Sequence, residues 1–253
     1  MGCDILYHRN MTSIAANLQA VRARIAAACV AAGRRPESVI LLAVSKTWPA
    51  ASVREAVAAG QRAFGENYVQ EAVEKAAALA DMAESGLEWH FIGPLQSNKT
   101  RLVAEHFAWV HSVDRLKIAE RLAAQRPPGL APLQVCIQVN VSGEASKSGC
   151  APDQVAALAH AVAALPGVCL RGLMAIPEPS EDSGLQRSRF ALLRGLLERV
   201  NAEGLRLDTL SMGMSHDLEA AIMEGATLVR VGTAIFGERS GLPSPQPPSR
   251  GTG

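Results

Sequence analysis

What the sequence has least of is net charge. Lysine and arginine number 25 against 24 aspartate and glutamate, a formal +1, so there is no broad electrostatic surface for a nucleic acid or an anionic membrane. Any anion must then be held locally. The five cysteines, Cys3, Cys29, Cys136, Cys150 and Cys169, are odd in number and lack CxxC spacing, which argues against a disulfide framework and points to a reducing cytosol. Nothing at the amino terminus resembles a secretory segment. No apolar run approaches the roughly 20 residues of a membrane span, because the alanine-rich stretch 14–32 is interrupted by Asn17, Gln19, Arg22 and Arg24. A soluble, cytoplasmic protein is expected.

What is plentiful is apolar sequence, 48% of the chain, in short runs that alternate with helical patterns. Strands are expected at 40–46, 62–66, 88–93, 109–113, 133–141, 169–176, 208–213 and 228–232. Helices are expected at 50–59, 67–84, 97–106, 114–125, 152–164, 184–202 and 216–225. One more helix precedes them, capped at Thr12 or Ser13 and stopped at Gly33, with Ile14, Leu18, Val21 and Ile25 on one stripe. Such alternation implies an α/β fold with parallel strands and right-handed crossovers. Eight units match a closed (β/α)8 TIM barrel, with an open doubly wound sheet as the alternative. The extra amino-terminal helix closes the outer ring where a helix after the eighth strand is missing. One domain is read over 11–238, between a leader at 1–10 and a Pro-, Ser- and Gly-rich tail at 239–253 that is expected to be disordered.

The stretch Ile40–Thr47 organises the chemistry. Five apolar residues lead to Lys46, which by period two shares a face with Ile40, Leu42 and Val44. A lysine carried along an apolar wall is costly unless it acts. In a barrel, function collects at the carboxyl ends of the strands. Besides Lys46, the polar residues expected there are Glu66, Asn67, His90, His111, Asn140, Ser142, Ser215, Arg230 and Thr233, with Met174 and Gly232 beside them. Ser215 is read as the cap of a helix, and Gly232–Thr233 as a close-approach turn. Together they outline the phosphate site that barrels build after strands seven and eight. A phosphate grip facing a nucleophilic lysine describes a site for pyridoxal 5′-phosphate (PLP), held by Lys46 as a Schiff base. Burial would favour the neutral amine that attack requires.

Seven segments carry a resemblance: Leu42-Ala-Val-Ser-Lys-Thr, Phe64-Gly-Glu-Asn-Tyr-Val-Gln-Glu, Trp89-His-Phe-Ile-Gly-Pro-Leu-Gln-Ser-Asn-Lys, Val139-Asn-Val-Ser-Gly-Glu-Ala-Ser-Lys-Ser-Gly, Arg171-Gly-Leu-Met-Ala-Ile, Ser211-Met-Gly-Met-Ser-His-Asp and Val229-Arg-Val-Gly-Thr-Ala-Ile-Phe-Gly. In this order they resemble the pyridoxal phosphate homeostasis protein family, also called proline synthetase co-transcribed homologues. The resemblance implies a fold type III PLP-binding barrel, similar to the amino-terminal domain of alanine racemase, with Lys46 as the Schiff base lysine. It further implies that Ser215, Gly232 and Thr233 hold the phosphate, that Arg230 faces the pyridine nitrogen and that Asn67 lines the pocket. Met174 packs at the mouth. His216 departs from the small or acidic residue of relatives, while Asp217 fits the motif.

Arg230 bears on activity. A guanidinium does not readily protonate the ring nitrogen, so the ring is a poor electron sink. That disfavours the carbanion chemistry of transaminases and decarboxylases but leaves a racemase-like reaction possible where two bases flank the α-carbon. From the lysine, the phosphate cradle and the absence of an expected second domain, the expected role is a cofactor carrier with little or no catalysis, serving intracellular vitamin B6 homeostasis and delivering PLP to apo-enzymes. The alternatives are an amino acid racemase using the same pocket and a regulator that acts through a partner. In alanine racemase the second base is a tyrosine from a separate dimerising β domain. No such domain is expected here, so a monomer is, and neither Tyr7 nor Tyr68 is obviously placed as a base. Lys99 and Lys147 are read as solvated or anion-facing. His90 and His111 are read as hydrogen-bonded core histidines, and no metal is expected.

Overall fold

Parallel pairing of β1 (Ile40–Val44) with both β2 (Ala63–Glu66) and β8 (Leu228–Val231) closes the sheet into a barrel. Between them lie β3 (Glu88–Phe91), β4 (Trp109–Val113), β5 (Leu133–Gln138), β6 (Val168–Met174) and β7 (Thr209–Ser211), each paired with its sequence neighbours. In this computed structural model residues 13–143 and 148–238 are described. The leader, the tail and Lys147 lie outside the described residues.

Alternate residues of each strand face two different environments, as period two requires. One set, including Ala43, Phe64, Phe91, Val110, Val135, Ile137, Leu173, Val229 and Val231, packs under the surrounding helices in one continuous core. The other set fills the barrel: Leu42, Val44, Ile92 and Leu228 on one side, Trp109, Cys136 and Met174 on the other. Complete burial of a side chain such as Phe64 stabilises the fold by roughly 1.5–3 kcal/mol. Burial also pushes the Cys136 thiol up to about 12, so it packs as a small apolar group.

The outer ring runs α2 (Ala50–Ala58), α3 (Val69–Ala78), α4 (Thr100–His106), α5 (Leu116–Gln125), α6 (Val155–Ala163), α7 (Ser183–Ala202) and α8 (Leu218–Met223). In α7 the Asp182 carboxylate accepts from the N–H groups of Gly184 at 2.8 Å and Leu185 at 3.2 Å. Asp182→Ala removes this cap, and we expect a loss of about 1 kcal/mol, read in thermal unfolding as a fall of about 2–4 °C.

Three sequence expectations change. A one-turn helix, α9 (Thr233–Phe236), follows β8, where none was expected. The pattern at 67–84 divides into α3 and a 3-10 stretch over Ala80–Ser85. Strands also stop short of the apolar pattern. β1 ends at Val44 because the chain turns at Thr47, whose φ is +66°, and beyond β5 only an isolated bridge joins Val139 to Cys150.

The amino-terminal helix α1 (Ile14–Ala31) is, by length and composition, apolar enough to cross a membrane. Its buried stripe, Leu18, Val21, Ile25, Ala28 and Cys29, is instead covered by the barrel. Its polar residues tie it down: Asn17 donates to the Ile235 carbonyl at 2.8 Å, Arg22 to that of Ala59 at 3.1 Å, and Arg24 pairs with Glu219 at 2.9 Å.

Candidate functional site

Lys46 lies two residues past the end of β1, on the parity of Leu42 and Val44, which line the interior. It is partly buried rather than carried inside the strand. The early end of β1 is the reason, since it leaves Lys46 in a turn at the mouth. Gly232 sits directly against the strand it leaves. A Cβ there would stand 3.1 Å from the Val44 carbonyl oxygen and 3.3 Å from Val44 Cβ, so glycine lets β8 run flush along β1. With Ala43 opposite Val231, Gly232 and exposed Thr233 emerge on the strand neighbouring Lys46.

The loop after β7 joins the same side. The Arg230 N–H donates to the Gly213 carbonyl at 2.9 Å, and Gly213, at φ +93°, turns the loop into a left-handed conformation that glycine adopts without strain. Ser215 is not the helix cap. Asp217 stands at the N-cap position of α8, and its carboxylate folds back to accept the Met214 N–H at 2.6 Å. From outside, Arg24 donates to the Ser215 carbonyl at 3.1 Å while gripping Glu219. Lys46, Ser215, Arg230, Gly232 and Thr233 thus gather at the ends of three adjacent strands, β7, β8 and β1. Asn67, partly buried, follows β2 on the next strand round. Met174 ends β6 and is fully buried against Trp109 and Cys136.

Not every polar residue expected at the mouth belongs there. Glu66 points outward, where Lys75 of α3 donates to it at 2.7 Å. Exposed Lys99 ends the 3-10 turn Ser97–Lys99. His90 and His111 lie inside the barrel, 1% and 0% exposed, and they form the middle of a polar column that the sequence reading missed. Arg230 Nη1 donates to Ser211 Oγ at 2.7 Å, and Ser211 Oγ lies 2.7 Å from His111 Nδ1. His111 Nε2 lies 2.9 Å from His90 Nδ1, and His90 Nε2 lies 2.8 Å from Glu88 Oε1.

Burial lowers His90 and pushes His111 well below the ordinary 6.5. The hydrogen bond from His90 lowers the Glu88 carboxyl, so that end of the column is an anion. With neutral rings the polarity is then fixed: His90 Nε2–H donates to Glu88, His111 Nε2–H to His90, the Ser211 hydroxyl to His111, and Arg230 to Ser211. Glu88 and His90 share a strand face by period two, and His90 and His111 are the hydrogen-bonded core histidines expected from the sequence; their joining into one column is what the sequence does not show.

Arg230 is 3% exposed, and burial brings its guanidinium down to about 10. Its second donor goes to the Ala175 carbonyl at 2.8 Å. Among the described residues no carboxylate forms an ion pair with it. A guanidinium carries five donors, and a buried cation of this kind fits an electron-rich acceptor such as a ring nitrogen. With an amine at β1 and the Ser215 and Gly232–Thr233 turns beside it, the donor set matches a phosphorylated aromatic aldehyde.

The fold and this donor set define a member of the class built on the alanine racemase amino-terminal domain. The family model for "Alanine racemase, N-terminal domain" matches residues 10–240. The pyridoxal phosphate homeostasis protein of Pseudomonas aeruginosa is 67% identical over 229 residues, covering 90% of this chain and 97% of that protein. The protein of the same name from Escherichia coli K12 is 55% identical over 233 residues, covering 90% and 98%. The structure of PipY from Synechococcus elongatus with PLP bound is similar at a TM-score of 0.78 and 42% identity, covering 89% of this chain and all of that one. Alanine racemase from Corynebacterium glutamicum shares the fold alone, at a TM-score of 0.62 and 17% identity over 89% of this chain and 63% of that one. The chain belongs to the pyridoxal phosphate homeostasis protein family.

Proposed function

We propose that this protein binds PLP at the barrel mouth and serves vitamin B6 homeostasis as a carrier with little or no catalysis. The single observation that carries this reading is the meeting of Lys46, Arg230 and the Gly232–Thr233 turn on adjacent strand ends. In this reading the Lys46 amine condenses with the aldehyde to a Schiff base, releasing one water. Ser215, Gly232 and Thr233 hold the phosphate, Arg230 faces the ring nitrogen, and Asn67 and Met174 complete the wall. The carrier works as a cytoplasmic monomer and passes the cofactor to apo-enzymes.

One observation favours carriage over racemisation: relatives at 55–67% identity bear the homeostasis name. Titrating the purified protein with PLP is expected to raise absorbance near ~420 nm with one-to-one stoichiometry. Incubating the loaded protein with a panel of amino acids in deuterium oxide is expected to leave their α-protons in place. No absorbance change sinks the binding, and rapid exchange that depends on Lys46 sinks the carrier reading in favour of a racemase.

A further inference from the structure

The turn bearing Lys46 is held from outside the barrel by a buried cluster to which nothing above gives a role. Lys75 of α3 donates to three acceptors: the Ser45 carbonyl at 2.6 Å, Glu66 Oε1 at 2.7 Å and Glu71 Oε1 at 2.6 Å. The side chains of Lys75 and Glu66 are 6% and 0% exposed. Ser45 Oγ donates to Glu66 Oε1 at 2.6 Å, and Glu71 Oε1, which accepts a hydrogen bond from Lys75, also accepts the Thr47 N–H at 2.5 Å. The carbonyl just before Lys46 is thus bonded to Lys75 and the amide just after it to Glu71, and Lys75 ties both to Glu66.

We infer that Lys75, Glu66 and Glu71 are positioning residues for Lys46, clamping the Ser45–Thr47 turn so that its amine emerges over the barrel mouth. The inference rests on the proposed PLP reading and adds the means by which the lysine is aimed. Thr47 takes a left-handed φ of +66°, which a β-branched residue holds only when its surroundings compel it. The Glu71 acceptor supplies that compulsion, and Lys75 fixes Glu71. If the cluster served packing alone, a burial of apolar residues would do as well and no ion pair would be required. Here every member reaches the backbone of the turn or a group that does.

Two sets of variants test this. Lys75→Met combined with Glu66→Gln removes both buried charges together, so neither is left unpaired. Glu71→Ala and Glu71→Gln act on a carboxylate that is 27% exposed and test the clamp even if the double variant does not fold. Three quantities are read: amide exchange at Thr47 in the cofactor-free protein, the rate of borohydride-trapped labelling of Lys46 by PLP, and affinity for pyridoxine 5′-phosphate, which has the ring and phosphate but no aldehyde.

Glu71→Ala and the double variant are expected to expose the Thr47 amide and slow labelling about ten- to a hundredfold, with pyridoxine phosphate affinity unchanged. Glu71→Gln, which keeps an acceptor oxygen, is expected to stay near the unaltered protein. Labelling at an unchanged rate with the amide exposed overturns the clamp, as does a parallel loss of pyridoxine phosphate binding, which marks general damage. An adduct away from Lys46 in the unaltered protein overturns the reading of the lysine itself and this inference with it.

Discussion

Lys46→Ala is expected to abolish covalent capture of PLP. The absorbance near ~420 nm disappears, and borohydride treatment leaves no modified peptide over residues 40–54, because alanine has no amine to condense. Binding through the phosphate turns is expected to persist more weakly, since Ser215 and Gly232–Thr233 are untouched. Lys46 is partly exposed in a turn, so the substitution costs stability only about 0.5 kcal/mol or less. Thermal unfolding of the cofactor-free variant should therefore overlay that of the unaltered protein. Lys46→Arg separates charge from nucleophilicity, because it restores a cation and leaves capture abolished. A reduced adduct that survives on exposed Lys99 or on Lys147 would overturn the assignment.

His111→Leu has the largest expected effect on the fold. The imidazole is completely buried and bonded on both nitrogens. Leucine leaves the Ser211 hydroxyl without its acceptor and His90 Nδ1 without its donor. Each orphaned buried group costs about 1–3 kcal/mol, so the loss is about 2–6 kcal/mol, and a domain of this size should melt roughly 4–24 °C lower. The variant also tests the pH dependence. The folded pKa of His90 and His111 lies below the unfolded value, so below about pH 6.5 the unfolded chain binds protons that the folded one refuses. Stability is therefore full above that pH and falls as acid is added toward the folded values. Glu88 acts in the same direction further into acid: its lowered pKa means that more stability is lost as the carboxylate range is crossed. His111→Leu should flatten the first part of the acid profile. An unchanged profile between pH 7 and 5 would show that the column does not set it.

The architecture was legible because eight apolar runs and their helices repeat with little interruption, and barrel closure follows from that count. What periodicity could not give was where each strand stops. Whether Lys46 belonged to β1 depended on the turn at Thr47, which a carboxylate from α3, far along the sequence, stabilises. Ser215 looked like a cap because a serine preceding a helical pattern commonly is one, yet Asp217, two residues on, took the position. The rim residues were found chiefly through resemblance. The column escaped because its five members sit on four strands, and only the closed barrel brings Ser211 to His111, a hundred positions apart in the chain.

The strap from Arg24 to Ser215 bears on biosynthesis. A helix synthesised before any of the eight strands supplies an outer brace for a loop made long after it, and Asn17 does the same for the segment after β8. A chain without its eighth strand would have the amine but not the completed rim, and its opening helix would lack the Ile235 carbonyl that Asn17 grasps. The rim at the ends of β7, β8 and β1 is therefore completed only when the eighth strand pairs with the first, so barrel closure and assembly of the mouth are one event.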